Sequence, residues 1–169
     1  MVFFVLSLLL DERLAEEVVF KFGGKERERQ KVRETVELFN RKFMDIYASG
    51  GARAALEGFP ASKEVRNEIF RDIGTLRLST GYLIIYDMAN LEIKEVGFID
   101  SRRAAVGTFE EWNYIIQDAR TRRALDRPMG LGYYFAYNLV RDGDDWSVVS
   151  YTPEEPEKAE KEYERGAGE

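Results

Sequence analysis

The apolar residues of this chain change period once, near Gly81, and that single change restricts the fold more than any other feature. Upstream, Val32, Val36, Phe39, Phe43 and Ile46 follow one another at steps of 4, 3, 4 and 3, which lays one apolar stripe along a helix over residues 25–49. Gly50-Gly51 stops it. A short helix is predicted over residues 52–57, closed by Gly58 and Pro60. Ser62 is then placed to cap a further helix whose Val65, Ile69, Ile73 and Leu76 share a side. Downstream of Thr80 the pattern is that of strands. Residues 82–86 are β-branched and aromatic, and residues 91–99 alternate before shifting phase near Gly97. A longer strand over residues 102–116 has Gly107 as a place to curve. Residues 130–140 then enter an Asp142-Gly143-Asp144 turn and return over residues 146–151. Tyr133, Phe135, Tyr137 and Leu139 share one strand face, and Trp146 and Val148 are expected to meet them across the hairpin. A helical half followed by a strand half predicts an α+β domain, with N-terminal helices packed on one face of a curved, cone-like antiparallel sheet.

The two ends differ from this body. Residues 1–10 are apolar at nine of ten positions and run straight into Asp11-Glu12-Arg13. Ten residues fall short of the roughly 20 that span a bilayer, and neither a basic start nor a small-residue cleavage site is visible. Three readings stay open for this segment: a buried strand or helix, the remnant of an anchor or signal, or a partner-facing segment. Residues 12–22 read as a short helix ended by Gly23-Gly24. Residues 154–169 hold seven acidic and three basic side chains, so four of the six net negative charges lie in this tail. The expected organisation is residues 1–24 as apolar segment and short helix, 25–153 as the α+β domain, and 154–169 as a solvated or extended charged tail.

The chain has no cysteine and no histidine. Disulfides, thiolate zinc sites, cysteine nucleophiles and serine–histidine triads are therefore excluded. Any acid–base chemistry would fall to Asp, Glu, Tyr or Lys. The acidic balance also argues against a nucleic-acid partner held by bulk electrostatics.

The amphipathic helix, the Ser62 helix and above all the ending YFAYNLVRDGDDWSVVSY resemble the nuclear-transport-factor-two-like superfamily of α+β cones. The stretch RRAAVGTFEEW is similar to the central strand of those domains. The resemblance covers residues 25–153 and implies a fold. Its members include isomerases, dehydratases, cyclases, small-ligand binders, dimerising transport factors and extracytoplasmic domains, so it implies no single activity. The dehydratase branch depends on histidine and is closed to this chain. An isomerase-like site would need a carboxylate base with a tyrosine or acid donor.

Five residues stand out as pocket candidates. Glu110 and Trp112 share a strand face with Tyr114, and burial beside Trp112 would raise the pKa of Glu110; the alternative is a solvated or ion-paired Glu110. Tyr86 and Asp87 could line a cavity mouth, although a carboxylate at a strand end is more often a turn former. Tyr137 belongs to an aromatic row that builds either a pocket or plain core. On the other face, Tyr134, Ala136 and Asn138 could form a subunit interface. Arg120, Arg122, Arg123 and Arg127 could grip an acidic group, but Asp118 and Asp126 interleave and a solvated loop is the plainer reading. Gly130-Leu131-Gly132 lacks the lysine of a phosphate loop, and the Asp142–Asp145 stretch lacks calcium-loop spacing.

Taken together, these features point to a non-catalytic binding or assembly domain with a protein partner or as a homo-oligomer. It would carry no cofactor, metal or nucleic acid, and membrane association through residues 1–10 would decide between a cytoplasmic and a membrane-bound place. The alternative is a small-molecule-binding or acid–base, isomerase-like enzyme working inside the cone.

Overall fold

The computed structural model describes Phe20 and residues 24–154. The expectations for residues 1–10, for the helix over residues 12–22 apart from Phe20, and for the tail beyond Glu154 lie outside the described residues.

Helix α1 (Lys25–Ala48) buries Val32, Val36, Phe39, Ile46 and Tyr47, while Glu26 and Glu28 face the positive end of its dipole in the first turn. Its exit is set by Gly50 and Gly51, both at positive φ, 68° and 84°. Gly50 N–H donates to Tyr47 O and Gly51 N–H to Ile46 O, each at 2.9 Å, the paired bonds of a Schellman stop. A single 3-10 turn follows (Arg53–Leu56). Helix α2 (Lys63–Thr80) starts where Ser62 Oγ accepts from Val65 N–H at 3.3 Å and ends at Gly81, with φ of 71°. Val65, Ile69 and Ile73 are buried along it, whereas Leu76 at its far end is only half-buried.

Four strands complete the domain: β1 (Tyr82–Asp100), β2 (Arg103–Asp118), β3 (Met129–Asp142) and β4 (Asp145–Glu154). They form one antiparallel sheet in the order β1-β2-β3-β4. The expected pair of segments around residue 89 is one continuous strand, because β2 pairs with both halves. The phase change is spread over three register shifts, at Met88/Asn90, Ile93/Glu95 and Phe98/Asp100, rather than concentrated at Gly97. A fourth shift lies at Asn138/Leu139 against β4. Extra residues on one strand increase twist and bend the sheet around α1. The hairpin at Gly143 uses its positive φ, 60°, as the first residue of a two-residue turn.

Helices cover one face. Phe39 sits at the centre of the core, with ring centroids 4.9 Å from Phe59, 5.7 Å from Tyr137 and 5.3 Å from Tyr151. Two further ties hold the helical layer to the sheet. Residues 60–62 run parallel to β4, with Val148 N–H donating to Pro60 O and Ser62 N–H to Val148 O. At the hairpin end, buried Glu28 accepts from Trp146 Nε1 at 2.8 Å and pairs with Lys31 and Arg141. Phe20 packs edge-on against Phe98, 5.0 Å between centroids.

Candidate functional site

Strand alternation brings one set of side chains under α1. On β2 these are Thr108, Glu110, Trp112 and Tyr114; across the ladders they face Tyr86 on β1 and Tyr133, Phe135 and Tyr137 on β3, with Tyr151 beyond on β4. The sheet bends away from the helix before this face is filled. A cavity of about 360 Å³ remains, lined by those side chains other than Thr108, with Phe39, Asn40 and Phe43 of α1 and with Ile84 and Leu131 at strand ends. That volume lies in the lower part of the range for small-molecule sites, roughly 300–1,000 Å³. Nine of the thirteen lining residues are aromatic, so the walls are ring faces and edges. Phe43 lies 5.6 Å from Tyr86 and 6.0 Å from Trp112, and Tyr86 lies 5.9 Å from Trp112.

Glu110 is at the floor and wholly buried. Its Oε1 accepts from the Tyr137 hydroxyl at 2.7 Å, from Thr108 Oγ1 at 2.8 Å and from Asn40 Nδ2 at 3.4 Å. Its Oε2 accepts from Trp112 Nε1 at 2.8 Å. The indole N–H and the amide NH2 can only donate, so the pattern is that of a carboxylate acceptor. Burial nonetheless raises the Glu110 pKa above its ordinary range, with the four donors pulling against it. Burial, and then the charge of Glu110, hold the Tyr137 hydroxyl well above the usual phenol range. Asn40 also donates to Val36 O at 3.2 Å and lies 3.1 Å from the Tyr137 hydroxyl, which locks the cluster to α1.

The structure brings Glu110, Trp112, Tyr137 and Tyr86 together around this cavity. Asp87 is not among them: it is exposed, and as the next residue after Tyr86 on a strand it belongs to the opposite face, where it pairs with Asn113. Asn40, Thr108 and Tyr151 were not singled out by sequence. Asn40 had a visible signal, since it sits four residues past Val36 inside the apolar stripe of α1. Tyr151 and Thr108 had none beyond strand parity.

The arginine loop does not gather into a cluster. Arg122 donates to Ala48 O at the end of α1, and Asp118 accepts from the backbone of Arg120 and Thr121. Among the described residues no group of three or more acidic side chains is arranged to hold a metal ion, and no helix is long and apolar enough to cross a membrane. On the outer sheet face, Tyr134 packs on Phe109 and Asn138 donates to Ser150 Oγ.

Neither a family model nor a curated protein sequence matches this chain. Among solved structures the fold is similar to the crystal structure of the intermembrane space region of the chloroplast protein ARC6. The TM-score is 0.55, at 14% identity, over 71% of this chain and 94% of that one. At that identity the likeness is one of fold: helices followed by a curved antiparallel sheet.

Proposed function

We propose that this is a non-catalytic binding domain of a larger assembly, whose aromatic cavity seats a compact, largely apolar group brought by its partner. The carrying observation is the pairing of a cavity of about 360 Å³ with a floor whose one carboxylate already has both oxygens engaged. An open aromatic cavity gains affinity by burying apolar surface, about 25 cal/mol per Å². A general base, by contrast, needs a lone pair aimed at substrate. The isomerase-like alternative has its carboxylate and phenol in Glu110 and Tyr137, but the two are bonded to each other at 2.7 Å rather than both directed at a third group.

The fold's likeness to one region of a chloroplast protein is compatible with a module in a multi-part protein. The same reading takes the domain as a member of the nuclear-transport-factor-two-like superfamily, on its element order and aromatic closing hairpin.

The test uses the full chain, native mass spectrometry and a neutral fluorescent probe, N-phenyl-1-naphthylamine. One probe should bind per chain and quench Trp112. Leu131→Trp, at an exposed position on the rim, should abolish binding while leaving the unfolding midpoint unchanged. A monomer that takes up neither probe nor partner overturns the proposal, as does probe binding that Leu131→Trp leaves intact.

A further inference from the structure

The charge balance of the cavity selects among occupants. Its walls hold nine aromatic rings and the carboxylate of Glu110, and among the described residues no Lys or Arg lines it. Ring faces carry negative quadrupole potential, and a cation within about 6 Å of a ring centroid is attracted to it. Outside the walls, burial first, and with it the exposed carboxylates of Glu68 and Asp72 on α2, raise the hydroxyls of Tyr47 and Tyr151. Rings and carboxylates alike favour positive charge in the cavity. The hydrogen bonds narrow the class further. Three donors converge on Glu110 Oε1 and a fourth sits on Oε2, which leaves an entering ammonium or guanidinium at most one acceptor position for its several N–H groups. A cation with no N–H, wrapped in methyl groups, meets the potential without that need and is weakly hydrated enough to enter.

Resting on the reading of this cavity as a binding site, we infer that its occupant is an organic cation of the quaternary-ammonium type, seated among Phe43, Tyr86, Trp112 and Tyr151 above Glu110.

The experiment titrates the full chain with choline and with its neutral isostere 3,3-dimethylbutan-1-ol, following Trp112 fluorescence, with Trp112→Phe as the blank because Trp146 is the second tryptophan. Choline should bind on the order of tenfold more tightly than the isostere, and more tightly than N-acetylarginine amide. Tyr86→Leu keeps apolar surface but removes a ring, and should shrink the ratio of choline to isostere affinity several-fold. Replacing both Glu68→Gln and Asp72→Asn, exposed changes that do not touch the core, should weaken choline alone. N-acetyl-trimethyllysine amide as a fourth ligand separates a side chain presented by a protein, if it binds above choline, from a free small molecule, if it binds below. An isostere that binds as well as choline, or an arginine probe that binds better, overturns the inference and leaves the apolar cavity reading standing. If none of the four binds, the inference falls, and uptake of N-phenyl-1-naphthylamine decides whether the cavity reading stands.

Discussion

Burial and hydrogen bonding act on Glu110 in opposite directions, and burial is the larger. A folded-state pKa raised above the ordinary 4.5 means that the native protein holds this proton more tightly than the unfolded chain. The stability from that proton is complete below the ordinary value and declines as pH rises through the raised one. This is the reverse of Asp100, held low by Arg103 and backbone N–H groups, whose contribution is lost on acidification. Urea unfolding at successive pH values should therefore show wild type losing stability relative to Glu110→Gln as pH climbs above 4.5; a flat difference would place Glu110 at its ordinary value. Tyr137→Phe removes the shortest bond to the carboxylate and should cost about 1–3 kcal/mol, read as a lower urea midpoint with an unchanged slope. At this scale the sequence shows which residues can meet, because strand parity puts Glu110 and Trp112 on one face. It cannot show that Asn40 and Tyr137 satisfy that acid, since those contacts join residues 70 and 27 positions apart.

Element boundaries are where the sequence is most legible, since stops and caps are local. Ser62, Gly81 and the Gly50-Gly51 pair each act within one turn of chain, and the change from helical to extended spacing coincides with Gly81. Gly51→Ala should be the costliest single methyl at these boundaries. Its φ is 84°, and the added carbon would meet the Phe70 ring at 3.1 Å, so a loss above the ~1 kcal/mol of a strained φ alone is expected in thermal unfolding. Strand β1 was harder to read because its irregularities lie in pairing rather than composition: Asp87-Met88-Ala89-Asn90 looks like a turn, yet β2 accompanies it throughout. Those three shifts, with Glu92 and Lys94 exposed between them, also make a long edge strand a poor template for a second chain.

On the scale of the whole molecule, the open cavity was the least legible feature. Spacing says which residues share a face, whereas the room left between face and helix depends on how far four strands bend together. The link to the N-terminal segment is testable through Phe20, which is buried against Phe98. A chain lacking residues 1–10 keeps Phe20. One lacking residues 1–24 loses it and should be less stable by about 1.5–3 kcal/mol, measured by calorimetry. The strand order β1-β2-β3-β4 carries a further consequence, for the sequence of events in folding. Every strand pairs with its neighbour in the chain, so the sheet can grow hairpin by hairpin at low closure entropy. Helix α1 is different, because its Asn40 meets Tyr137 only across 97 residues. During synthesis that helix precedes the sheet, and until β3 and β4 follow, Phe39 and Phe43 have only nearer partners such as Phe59 and Tyr86. The floor of the cavity thus closes only when β3 brings Tyr137 to Asn40, and rings that later form its walls stay open to chaperones until then.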